Sequence, residues 1–332
     1  MQILVLGAGG WGTALAVLLH NNGHKVTLWE YKKNYAKTLS KSRINKLYLP
    51  GIKIPKEISV THSLEEAVEH QHMIVLAIPS QFVRSVLQKI KKNDFTDTIL
   101  VSVAKGIETD TLFTVSLIIK DVINKIDDRN IGVLSGPSHA EEVAKKIPTA
   151  VVAASTDFET AEQIQAAFMT SYLRVYSSTD IIGVELGGAL KNVIAIGAGI
   201  TDGANFGDNT KAAIMTRGVA EISRLGIELG ARPETFSGLS GIGDVIVTCM
   251  SKHSRNRFVG EEIGKGKKLK DVLKSMNMVA EGIVTSKSAM ELARQAKVET
   301  PIIDAVYRTL YEDRDPQKMT FELMNRDMKS EH

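Results

Sequence analysis

The chain has 332 residues, 43% of them hydrophobic and 24% charged, with 26 glycines, 8 prolines and one cysteine, Cys249. At roughly 150 residues per domain this length suggests two domains with real cores, and the composition excludes wholesale disorder, collagen-like repeats, a disulfide framework and a cysteine-cluster metal site. The 41 basic and 38 acidic residues leave a formal net charge of +3, too even for a nucleic-acid binder recognised by charge, yet with room for a local basic pocket that holds a small anion.

The chain opens on Ile3-Leu4-Val5-Leu6, which runs into Gly7 with no basic leader and reads as a strand over Gln2–Leu6 rather than a signal peptide. Further strands are expected at Lys25–Trp29, Met73–Ile78, Thr98–Val103, Ile131–Leu134 and Thr149–Ala153, with a short edge strand at Leu173–Val175. Helical patterns lie between them at Thr13–Asn21, Gln81–Lys91, Leu112–Asn124 and Phe158–Met169. Short apolar strands alternating with helices predict a parallel sheet covered on both faces and joined by right-handed crossovers, an α/β doubly wound domain of the Rossmann type.

Past Thr179-Asp180 the strand signal stops. Helical patterns follow at Ile181–Ile200, Thr210–Leu229, Phe258–Gly264, Leu269–Met276, Thr285–Lys297, Ile302–Glu312 and Phe321–Met328. Residues 1–180 therefore read as one α/β domain and residues 181–332 as an all-helical second domain, and the polar end from Lys329 to His332 is expected to fray. Ile181–Ile200 is long enough to raise the question of a membrane span. Glu185, Lys191 and Asn192 near its middle and five glycines argue instead for a helix buried in a protein.

Gly7-Ala8-Gly9-Gly10-Trp11-Gly12 matches G-x-G-x-x-G between the first strand and the first helix. In that setting the glycines permit a tight turn and close approach to a pyrophosphate, which the helix N-terminus would hold. Glu30, 18 residues past Gly12 at the end of the second strand, is placed to bind ribose hydroxyls as in NAD enzymes. Tyr31-Lys32-Lys33 follows at once, and two lysines there could hold a 2′-phosphate or be ordinary solvated charges.

Five other segments carry candidate chemistry. Lys105 follows a strand and could hold a phosphate or be a surface lysine, and Ser135-Gly136-Pro137-Ser138 could be an anion cradle or a turn with Ser138 as N-cap. Lys191-Asn192 sits among small and apolar residues. A lysine buried there loses solvation, its pKa falls, and it becomes an acid–base candidate; the competing reading is a lysine that snorkels to the surface. Asp244 in Gly241-Ile242-Gly243-Asp244 could orient Lys191 or cap the next element, and Ser254-Arg255-Asn256-Arg257 could recognise a phosphate or form a solvated basic turn. The histidines show no metal-ligand spacing, and no motif points to acyl chemistry.

Taken together these segments resemble bacterial NAD(P)-dependent sn-glycerol-3-phosphate dehydrogenases over nearly the full length. The resemblance is carried by GAGGWGTAL (7–15), AKGIE (104–108), SGPS (135–138), GVELGGALKNVIAIGAG (183–199), LSGIGDVIVT (239–248), SRNR (254–257) and VAEG (279–282). It implies that Lys191 takes the proton of the C2 hydroxyl, with Lys105 and Asn192 as partners at the same oxygen. It implies contacts to glycerol 3-phosphate or dihydroxyacetone phosphate from Lys105, Gly136, Ser138, Lys191, Asp244, Ser254, Arg255 and Asn256. Gly7, Gly9, Gly10, Trp11, Gly12, Glu30, Tyr31, Tyr48, Lys105, Ala140, Arg255, Val279 and Glu281 would then line the cofactor site in a cleft between the domains. The family is cytoplasmic and supplies glycerol 3-phosphate for phospholipid synthesis, with no metal, nucleic acid or membrane span; exposed apolar helices could make a homodimer. Two positions depart from the family pattern. Gly10 stands where members often have Ser, and Glu30-Tyr31-Lys32 stands where many have His or Arg, which leaves NAD and NADP both open. The alternatives are a sister 3-hydroxyacid or 6-phosphogluconate dehydrogenase, of which the cluster 254–257 argues against a simple hydroxyacid substrate, and a dinucleotide sensor without chemistry, which would need no buried lysine.

Overall fold

Apolar runs too continuous for a one-sided sheet form its centre. Ile3, Leu4, Val5 and Leu6 are fully buried, as are Met73 to Leu76, because helices cover both faces. The computed structural model describes residues 1–276, 279–328 and 330–331. The expectation that the tail frays falls partly on Lys329 and His332, outside the described residues.

The first half runs β1 (Gln2–Leu6), α1 (Gly10–Asn21), β2 (Lys25–Trp29), α2 (Lys33–Ser42), β3 (Ser59–Thr61), α3 (Leu64–Ala67), β4 (Met73–Leu76) and α4 (Ser80–Ile90). It continues through β5 (Ile99–Ser102), α5 (Val115–Val122), β6 (Ile131–Ser135), α6 (Ala140–Ala144), β7 (Thr149–Ala154), α7 (Phe158–Phe168) and β8 (Leu173–Ser178). Helices follow: α8 (Ile181–Gly203), α9 (Gly207–Glu228), α10 (Pro233–Phe236), α11 (Asp244–Met250), α12 (Arg255–Gly264), α13 (Leu269–Lys274), α14 (Glu281–Ala296), α15 (Pro301–Tyr311) and α16 (Pro316–Met324). The sheet order is β3-β2-β1-β4-β5-β6-β7-β8.

The sheet departs from the expected all-parallel one at a single pairing. β7 runs antiparallel to β6, with Val133 opposite Ala154 and Ser135 opposite Val152. The link between them holds only the five-residue α6, which packs on α1 instead of crossing the sheet, so the chain returns beside the strand it left. β3, not expected from the sequence, is three residues long and polar at both ends, so it offers no apolar run to read.

α8 is the axis of the helical half. Asp180 caps it by accepting the Gly183 N–H at 2.9 Å, and the other carboxylate oxygen accepts the Arg232 N–H at 2.9 Å. It is long and apolar enough to cross a membrane, yet 94% of its most apolar window is buried inside the protein. Its glycines explain how. A Cβ on Gly199 would lie 2.0 Å from the Arg257 carbonyl, and one on Gly260 would lie 2.0 Å from that of Ile196, so α8 and α12 touch backbone to backbone. Glu185 ties this helix to the sheet half by accepting the Ser116 N–H at 2.9 Å.

Candidate active site

The carboxyl ends of β1, β5 and β6 lie along one edge of the parallel part of the sheet, where open α/β sheets bind ligands. At the end of β1 the chain turns at Gly7, whose φ is 111°. A Cβ there would meet the Ala77 carbonyl at 2.6 Å, and one on Gly12 would meet the Gly7 carbonyl at 2.0 Å, whereas a Cβ on Gly9 would meet nothing within 4 Å. Gly7 and Gly12 thus let the turn pack, and Gly9 borders open space. α1 starts at Gly10 with no acidic residue in its first turn and no side-chain cap, so its first N–H groups remain for an anion. Trp11 Nε1 is buried beside this turn and has no partner among the described residues. The donors and the cradle fit a dinucleotide pyrophosphate.

A Cβ on Gly10 would lie 2.6 Å from the Tyr48 carbonyl and 3.7 Å from the Ala140 Cβ, so these three predicted cofactor residues meet. Glu30 is only 4% exposed, and one of its oxygens accepts the Lys32 N–H at 2.9 Å, so that oxygen faces its own turn. Burial pushes its carboxyl up, with the Lys32 N–H and ammonium pulling against that shift. Tyr31 is exposed, and Lys32 Nζ lies 5.3 Å from its ring centroid.

The centre of the site is an ion triad. Asp244, the first residue of α11, is fully buried. Its Oδ1 accepts from Lys191 Nζ at 2.5 Å and its Oδ2 from Lys105 Nζ at 2.8 Å. Lys191 is 6% exposed on α8 and does not snorkel; it also donates to Thr248 Oγ1 at 2.7 Å. Burial lowers the Lys191 pKa to about 8; Asp244 pulls it upward and the charge of Lys105 pushes it down. Burial pushes Asp244 upward too, but the two ammoniums outweigh that and hold it below the ordinary carboxylate range.

Lys105 reaches across to β6, donating to the Gly136 carbonyl at 2.7 Å and to Ser138 Oγ at 3.4 Å. Ser138 does not cap α6; His139 holds that position, and the Ser138 hydroxyl donates to the Gly136 carbonyl at 2.9 Å. Asn192 Nδ2 donates to the Lys105 carbonyl at 3.0 Å, and its Oδ1 accepts from Asn256 Nδ2 at 2.9 Å. Asn256 Oδ1 in turn accepts the Gly282 N–H at 2.9 Å. Ser254 caps α12 by accepting the Arg257 N–H, while Arg255 is exposed and donates to the Val279 carbonyl at 2.7 Å. Glu281 accepts the Ser80 N–H at the start of α4 at 3.1 Å, and burial pushes its carboxyl up.

The fold therefore gathers two groups, the turn with Gly10, Tyr48 and Ala140, and the triad with Gly136, Ser138, Asn192 and Asn256. Arg255, Val279 and Glu281 form a third cluster that touches the sheet half through Ser80. Sequence reasoning missed Thr248, although it stands four residues after Asp244, a spacing that puts both on one helix face. It also missed His139, whose buried Nε2 has no partner among the described residues and whose ring lies 5.8 Å from that of His253. Burial and the charge of Lys191 hold the His139 pKa below its ordinary value.

Comparison with known proteins shows the family. Residues 2–161 match the family model for the NAD-dependent glycerol-3-phosphate dehydrogenase N-terminus, and residues 180–321 match the model for its C-terminus. Glycerol-3-phosphate dehydrogenase [NAD(P)+] of Chlorobium phaeobacteroides is 52% identical over 332 residues, covering 100% of both chains. The enzyme of the same name from a Thermoanaerobacter species is 51% identical over 331 residues, covering 100% of this chain and 99% of its own. The crystal structure of glycerol-3-phosphate dehydrogenase from Coxiella burnetii superposes with a TM-score of 0.93 at 34% identity, covering 98% of this chain and 99% of that one. The chain belongs to the NAD-dependent glycerol-3-phosphate dehydrogenase family.

Proposed function

We propose that the protein is an NAD(P)-dependent glycerol-3-phosphate dehydrogenase that interconverts dihydroxyacetone phosphate and sn-glycerol 3-phosphate, with Lys191 as its proton-transfer group. The observation that carries this assignment is a buried lysine with a pKa of about 8, paired to Asp244 and Thr248 at the edge of the strand ends. A group with that pKa can exist in both protonation states near neutrality, as a reversible reaction requires. When bound, the reduced dinucleotide supplies a hydride to C2 of the ketone. The Lys191 ammonium polarises the ketone oxygen and gives it the proton that balances the hydride. In the reverse direction neutral Lys191 removes the hydroxyl proton. Asp244 keeps the ammonium in place, and Lys105 adds positive charge where the alkoxide forms. Asn192 and Asn256, whose amides hold each other, position the Lys105 backbone and the Gly282 end of α14.

Arg255, with Ser254 and Asn256 beside it, is the substrate phosphate site in this reading, because its guanidinium is exposed next to the triad's helices and matches phosphate geometry. Arg255→Ala should raise KM for dihydroxyacetone phosphate by about 30-fold, the loss of charge-assisted hydrogen bonds. The rate with unphosphorylated dihydroxyacetone should stay unchanged. Steady-state kinetics on the two ketones checks this; equal losses on both would remove Arg255 from the phosphate site. The same wild-type assay, run with NADH and then NADPH, tests the activity itself and ranks the two cofactors.

A cytoplasmic enzyme feeding glycerophospholipid synthesis fits a phosphorylated substrate and a single unpaired thiol. The partly exposed stripe of Ile242, Ile246 and Met250 supports a homodimer, which light scattering would test.

A further inference from the structure

Asn45 is completely buried in the loop that follows α2, far from the ion triad in sequence, and all four of its side-chain hydrogen-bonding positions are filled. Its Nδ2 donates to the Ala8 carbonyl and to Thr13 Oγ1, both at 2.8 Å. Its Oδ1 accepts from the Tyr35 hydroxyl at 2.6 Å and from the Tyr48 N–H at 3.1 Å. One amide thus joins the glycine-rich turn, the start of α1, α2 and the loop carrying Tyr48. The loop is closed at its base by the bridge between Ile44 and Lys53, and it presses on the turn at Gly10, where a Cβ would lie 2.6 Å from the Tyr48 carbonyl.

We propose that Asn45 is a positioning residue for the dinucleotide: by anchoring the Ala8 carbonyl it aims the Gly9 N–H into the pyrophosphate cradle and holds Tyr48 over it. The reason is geometric. In a trans peptide the C=O and N–H point in opposite directions, so a carbonyl tied to Asn45 turns the next N–H away from Asn45. That N–H belongs to Gly9, which borders open space and whose N–H has no acceptor among the described residues. Swapping the amide's oxygen and nitrogen would set oxygen against the Ala8 carbonyl and an N–H against that of Tyr48, so only one orientation is possible. Aspartate cannot replace it either. It would turn a lone pair toward the Ala8 carbonyl and add negative charge beside a phosphate cradle.

The inference rests on the dinucleotide reading of the glycine turn, and equilibrium binding separates the two. NADPH and NADH are titrated without substrate into wild type, Asn45→Ala, Asn45→Asp and Tyr35→Phe. Wild type must bind; if it does not, the dinucleotide reading itself fails. Asn45→Ala should raise Kd and KM for the dinucleotide about tenfold, equivalent to about 1.4 kcal/mol, while kcat and KM for dihydroxyacetone phosphate stay within about twofold. Asn45→Asp should lose more than alanine does, with a loss that grows at low salt. Tyr35→Phe, which removes one donor and leaves the Ala8 anchor, should lose least. If Asn45→Ala does not fold, Asn45→Ser, which keeps a small polar group but cannot reach all four partners, should give the same kinetic split. An unchanged Kd in a folded Asn45 variant, or equal losses in kcat and in both KM values, would overturn the proposal.

Discussion

Replacing Lys191 by methionine should lower kcat in both directions by about 10³-fold, the usual range for a lost general acid–base group, while the Kd for NADPH changes by less than about twofold. The split is expected because Lys191 contacts Asp244 and Thr248 and none of the turn residues. The variant should fold, since Asp244 keeps Lys105 as its partner. The wild-type pH profile carries the same assignment with opposite signs for the two directions. Ketone reduction needs the ammonium, so its kcat/KM should fall as pH rises through about 8. Alcohol oxidation needs the neutral amine, so its kcat/KM should rise through the same region. Parallel limbs in the two directions would exclude Lys191 as the titrating group.

The second large effect belongs to Asp244→Asn. The carboxylate is fully buried and faces two ammoniums. Removing one partner of such a cluster leaves uncompensated charge, and about 3–5 kcal/mol of stability should be lost, read as a lower urea midpoint. The chemistry should move as well. Asp244 is what pulls the Lys191 pKa upward against burial, so without it the pKa falls further. The falling limb for ketone reduction should shift at least about one pH unit toward acid, while alcohol oxidation should keep its rate at lower pH than wild type does. A stability loss without that shift would make Asp244 a structural partner only.

Much of this architecture is readable from residue patterns because its strands are simple. β1, β4 and β5 are short apolar runs buried on both faces, and a helix of small residues around Lys191 can only be a core helix. The reversal at β7 is not readable, because α6 shows no feature that distinguishes a crossover from a return. The triad itself was half legible. Lys191 and Lys105 announce themselves by an apolar neighbourhood and a strand end, but they meet only through Asp244, whose partner choice depends on how α11 docks on α8. Asn45 was illegible, since an isolated Asn in a polar loop looks like any turn residue until its four partners arrive from four segments. Glu30 was legible by its position just past the end of β2 but not in its posture, in which one oxygen bonds the Lys32 N–H of its own turn.

Cys249, next in sequence to the Thr248 that holds Lys191, is fully buried, and burial pushes its thiol up to about 12. A native thiol in that state is inert to alkylating reagents, so any labelling must pass through openings that expose the α8–α11 core. The chain thus carries one chemical clock, and its rate counts how often the catalytic centre comes apart. An opening that lifts α11 off α8 to free this sulfur also parts Asp244 from Lys191, so a ligand bound at the triad should slow labelling as its occupancy rises.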